Sequence, residues 1–178
     1  IRDSFEKKNL PFYKFGDAIY LAKIETKYWI EYICKRFENT GKHISPELAE
    51  EICRLVDNHS SYVQQLSWLL WIRTINTATT EQLTYALEDL LDQNNILFQS
   101  ETENLSAYQM NFLKAIVDGI HTKFSSKEVI SKYNLGTSAN IVRLKNALLQ
   151  KELIETNGKE IVLADPVFGV WFKKEMLY

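Results

Sequence analysis

Proline and glycine are scarce in this chain, at 3 and 6 in 178 residues. Sandwiches and barrels need many tight turns, so those folds are disfavoured and helix is favoured. Cysteine is scarcer still, with only Cys34 and Cys53. Two cysteines cannot build a disulfide framework, which fits a reducing compartment. A cytoplasmic protein is therefore expected. No apolar run reaches the ~18 residues of a membrane-spanning helix, so no membrane partner is expected. No signal-peptide pattern opens the sequence. A large charge excess is also missing: 21 Lys and Arg face 23 Asp and Glu, for a net −2. The molecule as a whole is no polycation that would coat nucleic acid.

Several chemistries lack their residues. The glycines at 16, 41, 119, 136, 158 and 169 are isolated. No Gly-x-x-x-x-Gly-Lys-Ser/Thr loop is present: Gly41-Lys42 runs into His43, and Gly158-Lys159 into Glu160. Alone, this sequence has nothing to hold a nucleoside triphosphate with magnesium. His43, His59 and His121 stand far apart, and no Cys-x-x-Cys spacing occurs, so no metal site is expected. Cys34 and Cys53 sit near apolar stripes, where a thiol behaves as a small hydrophobe. Glu50-Glu51 and Glu88-Asp89 read as solvated charge rather than a catalytic pair. No catalytic residue is assigned.

What is present is an ordinary globular composition, 46% apolar and 25% charged. The length allows one large or two small domains. Charge divides the chain. Residues 1–105 carry 11 Lys and Arg against 16 Asp and Glu, net −5, and residues 106–178 carry 10 against 7, net +3. The sign changes near Glu101-Thr102-Glu103-Asn104, where a boundary is placed. The basic half is a mild hint of an anionic partner. The first residue is Ile rather than Met, and the expectation is a piece of a longer protein.

The acidic half reads as helices preceded by an extended apolar stretch, Pro11–Gly16 and Ala18–Ile24, whose aromatics suit a strand. A single strand is not stable alone. From ~26 to ~38, Trp29, Ile30, Ile33 and Phe37 make a helical stripe that stops at Gly41. Ser45-Pro46 is an N-cap with proline at the first helical position, followed by Leu48, Ile52, Leu55 and Val56. A third helix spans ~60–73. Its Trp68-Leu69-Leu70-Trp71-Ile72 is apolar almost all round, which predicts a helix between neighbours. Thr79 or Thr80 caps a fourth, with Leu83, Leu87, Leu90, Leu91 and Leu97, extending to ~100. Four helices with short connections make a small bundle.

The basic half has a different order. Ser106–Gln109 and Ser125–Glu128 each read as a capping box. The first precedes Phe112, Leu113, Ile116 and Val117; the second precedes Val129 and Ile130. A turn, Tyr133–Gly136, leads into a helix starting at Thr137 or Ser138. Asn157-Gly158 between two apolar runs signals a hairpin. A last helix follows Asp165-Pro166. Helix, helix, turn, helix, hairpin is the order of a winged helix.

Ile141, Leu144 and Leu148 form the inner face of the helix at 138–151. At 3.6 residues per turn, its outer stripe is Ala139, Arg143, Asn146 and Gln150. Arg suits guanine edges, and Asn and Gln suit adenine edges, because each makes paired hydrogen bonds in a plane. Thr137, Ser138 and the helix-start N–H groups suit a phosphate. Lys127, Lys145, Lys151 and Lys159 are candidate backbone contacts. The same face also suits docking of a protein partner.

Two stretches carry a resemblance. Leu10–Asp17 through Tyr20–Ile24, then Trp29-Ile30 and Arg36-Phe37, resembles the end of the core in the archaeal-type AAA+ P-loop ATPase family of archaea and bacteria. Asn58–Leu66 is similar to its lid motif, His-Pro-x-Tyr-x-x-x-Leu, with Ser60 in place of proline. Ser126–Val129, Leu135–Arg143 and Asp165–Phe168 resemble that family's C-terminal winged helix. The likeness covers nearly the whole chain.

The resemblance implies a parent protein with an upstream ATPase core, a helical lid and a winged helix. ATP and Mg would be bound only in that parent, and no cofactor is implied for this chain. Residues 1–24 would be the remnant of the last core strand, 25–104 the lid and 105–178 the winged helix. The start of the third lid helix would face nucleotide, through His59, Ser61 and Tyr62. No Arg or Lys stands there to sense a terminal phosphate. The expected fold is mainly α: a small lid-like helical bundle, then a winged-helix domain with one β-hairpin. The expected function is a C-terminal regulatory fragment of an AAA+ ATPase. Its lid closes over ATP in the intact protein, and its winged helix binds DNA or a protein. The alternatives are a free-standing winged-helix DNA-binding regulator with a helical dimerisation region, or a protein-docking adaptor. Removal of the core would expose residues 11–24, a candidate segment for self-association.

Overall fold

The computed structural model describes residues 22–176. The expected strand and self-association segment fall on residues outside that range, apart from residues 22–24. Residues 22–25 have no regular structure and lead directly into helix α1 (Thr26–Glu38).

α1 buries Trp29, Ile33 and Phe37, and Gly41 ends it with φ +73, as only glycine does cheaply. There the Lys42 N–H turns back to the Phe37 carbonyl at 3.1 Å. α2 (Pro46–Leu55) starts as its sequence implies, with Ser45 Oγ accepting from the Leu48 N–H at 3.2 Å. α3 (Ser60–Arg73) and α4 (Thr80–Glu103) follow, and Thr79 with Gln82 closes a reciprocal capping box on α4. α1 packs on α2 and α3 on α4. The two interhelical loops are stitched together: the His43 N–H donates to Asn76 O at 2.7 Å, and the Ala78 N–H to His43 O at 2.8 Å.

α3 departs from the expected all-round burial. Tyr62, Val63, Leu66, Leu69 and Leu70 face the core. Trp68 and Ile72 remain 56% and 52% exposed. Among the described residues no helix covers that side, so Trp68 and Trp71 line an open groove of about 520 Å³ with Tyr32, Ile33 and Phe37 of α1.

The second half contains α5 (Ala107–Val117), α6 (Lys127–Tyr133), α7 (Ser138–Gln150), strands β1 (Ile154–Asn157) and β2 (Glu160–Leu163), and α8 (Pro166–Met176). Ser106 and Gln109 form a complete capping box on α5. On α6 the cap is Ser126, bonded to the Val129 N–H, so Glu128 sits one position too early to return the bond. Phe112 stacks on Phe124 at 4.4 Å between centroids, and Leu135, Ile141, Leu144 and Leu148 complete the centre. β1 and β2 are antiparallel, with Asn157 opposite Glu160. The two-residue turn is therefore Gly158-Lys159, one residue later than the Asn-Gly signal suggests. Gly158 at φ +59 takes the left-handed first position of such a turn.

α4 belongs to both halves. Leu83, Ala86, Leu90 and Leu91 are buried along its first part, where α4 lies on α3. Near its end Phe98 lies against Phe168 and Trp171 of α8, at 5.5 and 5.6 Å. The Trp171 indole N–H also donates to Asn95 Oδ1 at 2.8 Å.

Candidate functional site

The α6–α7 corner decides how α7 is presented. Asn134 ends α6 in the left-handed region, at φ 49, and Gly136 follows at φ +83. Gly136 has little room: a Cβ there would lie 3.2 Å from Asn140 Nδ2 and 3.4 Å from the Tyr108 ring. The Asn140 side-chain amide donates to Leu135 O at 3.1 Å, holding the corner closed. α7 leaves this corner with Ile141, Leu144 and Leu148 buried. Thr137, Ser138, Ala139, Arg143, Asn146 and Gln150 are exposed. Ala139 and Arg143 share a shallow depression with Tyr108, Gly136, Thr137 and Asn140. The Thr137 side chain makes no capping bond to the helix it precedes. Exposed Lys127 opens α6 and exposed Lys159 lies in the hairpin turn. Lys151 caps the other end of α7 and lines a small cleft with Ser100, Glu101, Asn104 and Leu153.

The second candidate region is the turn into α3. Asp57 and Asn58 are both left-handed, at φ 47 and 54. Lys23 Nζ reaches Asp57 Oδ2 at 2.6 Å and Asp57 O at 3.0 Å. His59 occupies the N-cap position without a side-chain cap bond, and no acidic residue stands in the first turn of α3. His59 and Ser61 are exposed. Tyr62, expected to face nucleotide with them, turns inward instead. It is buried, and its hydroxyl donates to Asp165 Oδ2 at 2.6 Å. A helix start without carboxylates is compatible with a phosphate, because its first N–H groups lack helical acceptors. The first turn supplies no cation, as Ser60, Ser61 and Tyr62 show. Among the described residues, no group of His, Cys, Asp and Glu is placed to hold a metal.

Residues 96–174 match a family described as "Probable winged helix domain". The C-terminal unit is a winged helix. Among solved structures, the chain is similar to the Walker-type ATPase of Pyrococcus abyssi, with TM-score 0.65 and 18% identity. That alignment covers 94% of this chain and 47% of the other. The chain thus spans about half the length of the ATPase it matches. At this identity the likeness is one of fold, and it agrees with the sequence resemblance to the C-terminal part of the archaeal-type AAA+ ATPase family. No curated protein matches the chain. Among the described residues, no helix is long and apolar enough to cross a membrane.

In the winged helix, α7 is the helix that leads into the wing formed by β1–β2. The outer stripe expected from helical periodicity is the stripe the fold exposes. Sequence reasoning missed three features. One is the Tyr62–Asp165 bond. Another is the Trp171–Asn95 bond. The third is the groove beside Trp68. Asp165-Pro166 carried one usable signal, since an Asp before a proline marks a helix start. Its Oδ1 does accept from the Val167 and Phe168 N–H groups, at 2.8 and 3.0 Å. Nothing in the sequence pairs it with a residue 103 positions earlier.

Proposed function

We propose that this chain is the lid and output module of an AAA+ ATPase, and that its winged helix binds DNA through α7. ATP and Mg would be held by a core in the parent protein, with the His59–Ser61 turn facing the nucleotide. The lid would close over ATP and carry the winged helix with it as a rigid-body shift. The chain's own sequence contains no phosphate loop, so the isolated chain should not turn over ATP.

One observation carries the DNA reading. Arg143, Asn146 and Gln150 stand exposed along one stripe of α7, and none of them hydrogen-bonds to another side chain among the described residues. Planar groups free to make paired bonds are what base edges require. Thr137 and Ser138 at the helix start, Lys127 on α6 and Lys159 on the wing are suited to flanking phosphates.

The test is titration of the full chain with a short random-sequence duplex at two salt concentrations. Binding should weaken steeply as salt rises, because phosphate contacts release counterions. On a duplex carrying the preferred base, Arg143→Ala should weaken binding by about 1–3 kcal/mol if the guanidinium reads that base. No binding even at low salt would overturn the DNA reading and favour docking of a protein on the α7 face.

A further inference from the structure

We propose that Tyr62 and Asp165 are positioning residues that couple the turn into α3 to the first turn of α8, so that the seat of the winged helix on the lid depends on the conformation of that turn. This rests on the lid reading and gives it a physical linkage.

The two residues come from two of the stretches that carry the family resemblance, Asn58–Leu66 and Asp165–Phe168. They lie 103 positions apart, and a single hydrogen bond joins them. Tyr62 is buried, and a buried phenol needs a polar partner. Asp165 supplies it with one oxygen and caps α8 with the other. One carboxylate thus fixes both the phenol and the start of α8. A rotation of the carboxylate that improves one contact strains the other.

The ring of the phenol has a second contact. The His59 ring packs on the Tyr62 ring at 4.8 Å between centroids, tilted by 42°. His59 is the exposed N-cap of α3, directly before Ser60 and Ser61. A ligand that reorganises this turn moves His59, and drawing the His59 ring away removes its contact with the Tyr62 ring. Tyr62 in turn pulls on the α8 cap. Among the described residues, no other hydrogen bond joins α3 to the α8 cap. The apolar contacts of Phe98 with Phe168 and Trp171 run through α4 instead.

The experiment uses the full chain, without nucleotide or DNA, and follows backbone amides by NMR. In Tyr62→Phe, the Val167 and Phe168 amide resonances should shift, and their hydrogen exchange should speed up about ten- to hundredfold. That range is the weight of a hydrogen bond to a charged group. Asp165→Asn should shift the Ser60 and Ser61 amides, since the coupling runs both ways. Leu83→Ala destabilises the α3–α4 packing without touching Asp165, and it should leave the Val167 and Phe168 resonances in place. Tyr62→Phe and Asp165→Asn combined should cost less than the sum of the two single changes. The proposal is overturned if Tyr62→Phe leaves Val167 and Phe168 exchange within about twofold of the parent. It is equally overturned if Leu83→Ala moves those amides as much. If Tyr62→Phe does not fold, Asp165→Asn decides, and unmoved Ser60 and Ser61 amides overturn the proposal. Failure here leaves the lid and DNA readings standing, because the DNA reading is tested by salt-dependent titration and the lid reading by closure over ATP in the parent protein.

Discussion

Phe98→Ala removes the ring that joins the end of α4 to α8. Phe98 is 1% exposed and touches both Phe168 and Trp171. A buried phenylalanine hides about 150–200 Å², which at about 25 cal/mol per Å² is worth about 4–5 kcal/mol. Mutational series for Phe→Ala in cores give about 3–5 kcal/mol once the cavity is included. The expected loss is therefore about 3–5 kcal/mol, a large share of the ~5–15 kcal/mol that holds a domain folded. The assay is urea unfolding of the full chain, followed by far-UV circular dichroism and tryptophan fluorescence. Because α4 packs on both halves, both probes should move to lower urea together. The neighbouring Leu97 is 53% exposed, so Leu97→Ala should cost less than about 1 kcal/mol. A Phe98→Ala loss below about 1 kcal/mol, or a Leu97→Ala loss equal to it, would refute the view of α4 as a shared core helix.

The cysteines should behave as packing groups. Burial pushes the Cys53 thiol up to about 11, and burial with the nearby Glu38 charge also raises Cys34. The thiolate is the nucleophile, so alkylation of Cys53 at pH 8 should wait for unfolding; modification of the native protein at the rate of a free thiol would contradict this. Burial, and then the Asp165 charge, push the Glu101 carboxyl above its ordinary 4.5. A carboxyl raised in this way binds more protons folded than unfolded. Its charge therefore costs stability above the folded value, and the cost vanishes as pH falls below the unfolded one. Glu101→Gln should raise the unfolding midpoint at pH 7 and change it little at pH 3. A lowered midpoint at pH 7 would contradict the assignment.

Much of the fold was legible in the residues themselves. Helix starts at Ser45-Pro46, Thr79 and Ser106 depend on side chains within three positions of the backbone groups they satisfy, and such local bonds need no knowledge of the rest of the chain. The outer stripe of α7 follows equally from its own 3.6-residue period. Where a signal was local but ambiguous, the neighbours settled it. Ser126 rather than Ser125 caps α6, and the hairpin turn falls on Gly158-Lys159 because the pairing of Asn157 with Glu160 sets the register.

What the sequence determined by itself was the order of helices and hairpin, their ends, and the polar face that α7 would turn outward. Only the tertiary structure decided that Trp68 lies beside an open groove, that α4 packs on both halves of one continuous core, and that Tyr62 faces Asp165 rather than solvent. The reason is range. Caps and helical stripes are contacts between residues a few positions apart, whereas which side of an apolar helix is covered, and which buried hydroxyl meets which carboxylate, depends on elements brought together from distant parts of the chain.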